Sequence, residues 1–303
     1  MDPKHLIQLA VILDKGSVTA AAQHLLLTQP TLTRNMSTLE MQAGEQLFMR
    51  SRFGVKSTPL GENLARIGRS IGRQMQAAHE TVSRHKIGLH THLRVGVGPL
   101  IGMALMPQLS DTFLREQKHI SLSVTTGRPL NIVDQLTDGD LDVVLAPAVY
   151  AQHPQGIDRE LLCEDAISIF CGPSHPMAKG NEFQAEDFGD CDWMNVGTTS
   201  PFQNAELDML NRSGIQRMRT RFATVGDAVI LLQVLMNGQH LAVLPRLPVS
   251  LLHERFPLVE LPPPGGTSRR DLYVWSRSEL AQDPALSALK KTLRSLLPMK
   301  KHF

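Results

Sequence analysis

Residues 16–44 read GSVTAAAQHLLLTQPTLTRNMSTLEMQAG, and this stretch decides the fold of the N-terminal part of the chain. Ser17 stands where it can cap a helix from Val18 to about Leu25, in which Ala20, Ala21 and Ala22 are small enough for another helix to cross closely. Thr28 caps the next helix. Pro30 lies in its first turn, Leu32, Met36 and Leu39 form one apolar face, and the pattern ends near Gly44. Two helices joined by so short a connection predict a helix-turn-helix. Upstream, Asp2 before Pro3 starts a further helix, on which Leu6, Leu9, Ala10 and Leu13 recur at helical spacing until Gly16 stops it. Downstream, the run from Leu47 to Thr58 sets Gly54 between two short segments able to pair, the pattern of a wing hairpin.

From Pro59 a long helix is predicted to about residue 86, with Leu60, Leu64, Ile67, Ile71, Met75, Ala78 and Val82 in one stripe. Ile71 follows Leu60 by 11 residues and Val82 follows Ile71 by 11, a repeat that favours a nearly straight or weakly right-handed pair of helices. The stripe needs a partner, either its own domain or a second copy of the chain. The domain boundary at the helix end favours the second copy, so a dimerising linker helix is expected over 59–86. Residues 87–92, with Gly88, read as a hinge.

Beyond it strands alternate with helices. Strands are predicted at Leu93–Gly98, Ile120–Thr125, Asp142–Leu145, Ala166–Cys171, Trp193–Val196, Arg219–Ala223, His240–Val243 and Leu272–Trp275, with helices between most of them and a last one from about Pro284. This alternation predicts parallel, doubly wound sheets in two α/β lobes, lobe I over about 93–160 and 268–303 and lobe II over about 161–267. A cleft is expected at the carboxyl ends of the strands. The division is therefore a winged helix-turn-helix at 1–58, a linker helix at 59–86, the hinge, and a two-lobed domain at 93–303.

The 303 residues are 42% apolar and 20% charged, an ordinary globular composition with ample length for two or three cores. No run approaches the roughly 18 apolar residues that a membrane helix needs, and no export signal is evident, so a cytoplasmic location is expected. Cys163, Cys171 and Cys191 lack any CxxC spacing, which argues against a disulfide framework and a thiolate zinc site. Cys163 and Cys171 are eight residues apart, which along an expected intact strand would set them roughly 26 Å apart, too far to bridge. The net charge of +2 conceals an asymmetry, since residues 1–92 hold 11 Lys plus Arg against 6 Asp plus Glu while the remainder is mildly acidic. A basic unit suits an anionic polymer, although the same surplus also fits a solvated surface.

With Leu25, Thr28-Gln29-Pro30, Leu32, Arg34, Leu39-Glu40, Gly44, Leu47-Phe48, Arg50 and Thr58-Pro59-Leu60-Gly61 added to the Gly16–Ala22 run, the order and spacing resemble the N-terminal signature of LysR-type transcriptional regulators. Asp140-Leu141-Asp142, His175-Pro176 and the Gly238–Pro245 stretch carry the resemblance toward the C-terminus. It implies a winged helix-turn-helix, a dimerising linker and a two-lobed effector domain like periplasmic binding proteins, usually assembled as a dimer of dimers, with RNA polymerase as a further partner. Asn35 and Met36 depart from it by making the recognition helix less basic, and Leu100 departs where many members carry Ser or Thr.

Arg34 is the foremost candidate reader of bases, because its planar fork pairs bidentately with guanine O6 and N7. Gln29 suits adenine, and Thr31 or Thr33 suits a thymine methyl or a phosphate, with Pro30, Ser37 and Thr38 beside them. Arg50, Arg52 and Lys56 are expected to reach phosphates or the minor groove from the wing, and Thr58 adjoins them. Ser17 and Thr28 are caps that also suit a phosphate. In the C-terminal domain, Gly98 and Leu100, Thr198-Thr199-Ser200, and Val225-Gly226-Asp227 lie at strand-to-helix junctions, with Thr125, Thr126 and Arg128 after another strand. Free backbone N–H groups there suit a small organic anion drawn between two closing lobes, while the threonines and serine also serve simply as caps.

No cofactor is expected, and no GxSxG, HExxH or glycine-rich phosphate loop points to an enzyme. His90 and His92 form a possible metal pair, but two ligands on a hinge are more often solvated. The alternative is a transporter's solute-binding protein, which has the two lobes but no use for the first 90 residues.

Overall fold

The computed structural model describes residues 1–51, 54–86, 91–180, 182–195, 203–216, 218–224 and 226–297. The chain divides into two compact units, Met1–Gly88 and Leu89–Phe303. In the first, α1 (Pro3–Lys15) is capped by Asp2, whose carboxylate accepts from the Lys4 N–H at 2.8 Å, and ends at Gly16 with φ 63°. Ser17 caps α2 (Val18–His24) and Thr28 caps α3 (Gln29–Ala43), each hydroxyl accepting a backbone N–H three residues on, and α3 stops at Gly44. Leu32, Met36 and Leu39 are buried with Leu9, Ile12 and Ala21 in one core. β1 (Phe48–Ser51) and β2 (Gly54–Ser57) form the expected antiparallel hairpin, joined to the α1–α2 turn by the Val55 N–H bond to the Gly16 carbonyl.

The long helix α4 (Pro59–Lys86) corrects the expectation of one exposed stripe. Leu64 and Ala65 are buried, and Leu60 and Ile71 are partly buried, on the core of their own unit. α1 lies so close that a Cβ on Gly68 would stand 2.0 Å from the Leu6 carbonyl oxygen, which makes glycine obligatory at that crossing. Met75, Ala78 and Val82 continue the same stripe beyond the reach of α1 and are exposed. Ile67, between Leu64 and Ile71 in the same stripe, is 50% exposed, so the stripe serves its own core at Leu60, Leu64 and Ile71 and is open at Ile67 and from Met75 onward.

The second unit carries two sheets. Lobe I contains β3 (Thr91–Val97), α5 (Pro99–Glu116), β4 (Ile120–Thr126), α6 (Pro129–Thr137), β5 (Val143–Pro147) and β6 (Ile157–Cys163), and the chain returns to it with β13 (Leu272–Arg277) and α10 (Pro284–Leu296). Its strand order is β4-β3-β5-β13-β6. Lobe II contains β7 (Ala166–Cys171), β8 (Asp192–Asn195), α7 (Gln203–Arg212), β9 (Arg219–Ala223), α8 (Ala228–Asn237), β10 (His240–Pro245), α9 (Arg246–Leu251), β11 (Val259–Leu261) and β12 (Ser268–Arg269). Its order is β11-β7-β10-β8-β9, with β12 also on β7. The sheets are mixed rather than purely parallel, because β13 runs antiparallel to β5 and β6, and β7 runs antiparallel to β10, β11 and β12. Both departures arise where the chain changes lobes and must enter a sheet from its far end. Of the expected hinge, residues 87–90 lie outside the described residues, and Thr91 and His92 already belong to β3.

Two features tie the lobes together. Leu247 of α9 sits in the core of lobe I with Leu105 and Leu289, while Leu100, Met103 and Ala104 of α5 pack on the lobe II core of Phe170, Met194 and Leu231. At the first crossover, buried Asp165 accepts the N–H groups of Ala166 and Leu247 at 2.8 and 2.9 Å, and its carbonyl accepts from Arg270 at the second crossover. Burial pushes the Asp165 carboxyl up to about 6, against the pull of those N–H bonds and of Arg270 and Arg246. In lobe I, Asp142 joins Arg94 of β3 to Arg277 of β13 through contacts of 2.7 and 2.6 Å. Burial alone would raise its pKa, but the hydrogen bonds and charge of Arg94, with the charge of Arg277, hold it below the usual carboxylate value.

Candidate DNA interface and effector cleft

On α3 the side chains opposite the buried Leu32, Met36 and Leu39 are Pro30, Arg34 and Met41, all exposed. Arg34 lies mid-helix, and among the described residues its guanidinium has no hydrogen-bond or ion-pair partner. Gln29 and Thr31 are exposed beside it, while Thr33 is half-buried. The Thr38 hydroxyl donates to the Arg34 carbonyl at 3.1 Å and the Ser37 hydroxyl to Thr33, so both protons are already committed to the helix backbone. Asn35 turns inward and donates to the Gln8 side chain of α1 at 3.0 Å, which explains a neutral residue at that point of the helix.

Lys56 is exposed on β2, whereas the Arg50 side chain and Arg52 lie outside the described residues. Thr58 is a cap rather than a free hydroxyl, since it donates to Gln46 and Leu47 carbonyls at 3.1 Å and accepts the Gly61 N–H at 3.0 Å. Sequence reasoning passed over Met41, 76% exposed and two turns from Arg34, although its spacing of seven residues places it on the same line. It also passed over Leu26, 93% exposed with φ 54° in the turn that enters α3.

In the effector unit the expected helix starts prove unequal. Gly98 begins α5 and Arg128 begins α6, and neither start has a side-chain cap. The pairing of Val97 with Thr126, with the Gly127 N–H bonded to the Val97 carbonyl, sets these two starts side by side. Thr125 and Thr126 are exposed there, and Leu100 is half-buried against lobe II. Gly226, with φ 79°, precedes a start that is already filled, because the Asp227 carboxylate accepts the Ile230 N–H at 2.9 Å. An anion at α8 would therefore meet a carboxylate, and Gly226 is corrected from anion ligand to turn residue. Thr198, Thr199, Ser200 and Val225 lie outside the described residues. Glu206, in the first turn of α7, was not anticipated; burial pushes its carboxyl up to about 7, and it has no hydrogen-bond partner among the described residues.

The His92 ring shares hydrogen bonds with Ser121 at 2.7 Å and Ser123 at 3.1 Å, while His90 lies outside the described residues. Among the described residues no cluster of three or more His, Cys, Asp or Glu is arranged to hold a metal ion. Burial pushes the thiol of Cys163 up to about 12 and that of Cys171 up to about 11, which keeps both protonated near neutral pH.

Residues 86–298 match the family model described as the LysR substrate binding domain, and residues 3–62 match the bacterial regulatory helix-turn-helix model of the lysR family. The chain belongs to the LysR family. It is accordingly a DNA-binding transcriptional regulator with an effector-binding domain. Curated relatives include the HTH-type transcriptional regulators YdcI of Escherichia coli, 27% identical over 59% of this chain, and PcaQ of Agrobacterium fabrum, 26% identical over 74%. The matched stretches span 58% and 72% of those two proteins.

Among solved structures, full-length CbnR in complex with its target DNA superposes with a TM-score of 0.69 at 20% identity, over 97% of this chain and 99% of that one. Full-length OxyR from Pseudomonas aeruginosa gives 0.60, also at 20% identity, over 98% of each chain. These likenesses are of fold. The LysR relatives are HTH-type regulators, which sets aside the transporter alternative. Among the described residues no helix is long and apolar enough to cross a membrane.

Proposed function

We propose that this regulator reads its operator with Arg34, assisted by Gln29, Pro30, Thr31 and Thr33, and is positioned on phosphates by Ser17, Thr28, Arg50, Arg52 and Lys56. The observation that carries this reading is the unpartnered Arg34 guanidinium at the centre of the exposed line of α3. Arg34→Ala should cost about 1 to 3 kcal/mol of operator affinity in a mobility-shift titration and relax specificity at one base pair. Binding as tight and as selective as wild type would remove Arg34 as a reader.

The effector is a small organic anion held at the start of α5 and α6 by Gly98, Leu100, Thr126 and Arg128, with Thr198, Thr199 and Ser200 approaching from lobe II. Because Leu247 is embedded in lobe I and Leu100 abuts lobe II, the ligand acts through a small sliding of the lobes rather than wide closure. The chain pairs through the open end of α4 and assembles as a dimer of dimers that works with RNA polymerase in the cytoplasm. Met75→Glu, at an exposed position of that open end, should lower the mass measured by light scattering; an unchanged mass would place the dimer contact elsewhere.

A further inference from the structure

Three parts of the DNA-binding unit hang on α1, each by a different attachment. The linker helix α4 is held by close contact and by charge. Gly68 lies against the Leu6 carbonyl, and at the far end of α1 the Asp14 carboxylate accepts from Nε and Nη2 of Arg69 at 3.0 and 2.8 Å. Glu62 accepts from the same guanidinium at 2.9 Å. The wing is held just past α1, where the Val55 N–H donates to the Gly16 carbonyl at 3.0 Å and a Cβ on Gly54 would stand 2.8 Å from that oxygen. The reading helix α3 shares an apolar core with α1 through Leu32, Met36 and Leu39, and it carries one directional tie: the Asn35 amide donates to the Gln8 amide oxygen at 3.0 Å in a half-buried position.

The apolar core holds α3 against α1 but sets its roll weakly, because burial has no preferred direction. A hydrogen bond between two amides has an angle as well as a length. Asn35 follows exposed Arg34 by about 100° around the helix, so the bond that keeps Asn35 turned to α1 keeps Arg34 turned outward. A roll of about 10° carries a side-chain end about 6 Å from the helix axis through about 1 Å, enough to spoil a bidentate pair with a base edge.

We propose that Asn35 and Gln8 are positioning residues for base reading: their amide pair fixes the roll of α3 on α1 and thereby aims Arg34. This rests on the reading of Arg34 as the base reader. The pair acts from behind the reading surface and makes no contact with DNA. Because the wing is attached at Gly16, loss of the pair leaves the wing in place, and phosphate contacts made from it persist.

The test uses the full chain on an operator selected from random duplexes by the wild-type protein, with affinity measured for every single base-pair change and at several salt concentrations. Gln8→Leu and Asn35→Leu should each flatten the preference at the one base pair that Arg34→Ala flattens, by about tenfold, while the salt slope stays at its wild-type value. The swapped pair, Gln8→Asn with Asn35→Gln, keeps both amides and their summed length and should restore the preference. Wild-type discrimination in both leucine variants, a loss spread evenly over all base pairs, or a swapped pair that fails to restore the preference would overturn the positioning role. An effect of Asn35→Leu without one of Gln8→Leu would overturn it too, since Asn35 would then be reading a base itself. If Arg34→Ala discriminates as wild type while both leucine variants flatten one base pair, the reading of Arg34 falls and the pair aims another residue of α3. If Arg34→Ala alone flattens it, that reading stands and the positioning role falls.

Discussion

In the proposed reading, recognition in the DNA-binding unit rides on side chains along one line of α3, Pro30, Arg34 and Met41, whereas in the effector unit it rides on main-chain N–H groups where α5 and α6 begin. A side-chain surface can be rewritten one residue at a time while the helix beneath it stays put. A main-chain surface cannot, because its donors move only with the strands that carry them. The first region should therefore lose binding without losing stability when its readers are changed, and the second should lose its site when the scaffold is disturbed.

The largest effect expected from this contrast lies at Asp142, which joins β3 to β13 through Arg94 and Arg277 and so holds the strand that delivers Gly98. Asp142→Ala leaves two guanidinium groups without their shared partner, and because both retain some solvent, the loss should fall near the low end for a broken buried pair, about 3 kcal/mol. Denaturant unfolding followed by the fluorescence of Trp193 and Trp275, both in this unit, measures it. A loss comparable to that of an ordinary surface substitution would show that the strands are held by packing alone.

A smaller effect separates the two buried carboxylates of the effector unit by the sign of their pH dependence. Asp142 has a lowered pKa, so its contribution is present above the unfolded value of about 3.9 and is lost as the pH falls through its folded value. Asp165 is raised to about 6, so its contribution is present below the unfolded value and is lost as the pH rises through about 6. Asp165→Asn keeps an acceptor oxygen for Ala166 and Leu247 but no longer titrates. Relative to wild type, the variant should gain stability between about pH 4 and 7, by on the order of 2 kcal/mol. A difference between the two proteins that is flat across that range would mean the carboxylate is solvated.

What was legible in the sequence follows the same division. Ser17, Thr28 and Asp2 declared their helices because a cap acts within three residues, and Leu32, Met36 and Leu39 declared the buried side of α3 by spacing alone. The strand Ile157–Cys163 was not seen, since its partner is β13, more than a hundred residues further on, and nothing local specifies that pairing. The helix α9 and its lodging in lobe I were missed for the same reason. The proposed anion site was half legible: the glycines marked the strand ends, but whether a start is open or closed depended on where the Asp227 side chain points. The division of the α4 stripe depended on where α1 stops alongside it, which the periodicity of α4 does not contain.

The smallest effect concerns the turn that aims the reading helix. Leu26 holds φ 54°, a left-handed conformation that costs a branched side chain about 1 kcal/mol, and its side chain is 93% exposed, so burial returns nothing for that cost. Asn tolerates this conformation far better, and Leu26→Asn should stabilise the DNA-binding unit by roughly 0.5 to 1 kcal/mol. If the turn only connects α2 to α3, operator affinity should stay at the wild-type value, and the side-chain surface of α3 is independent of the residue that leads into it. If affinity falls while stability rises, the exposed leucine touches DNA, and the reading surface extends one turn beyond the line through Arg34. A melting temperature that fails to rise would show that the turn relaxes its backbone without help, which a thermal denaturation of both proteins decides directly.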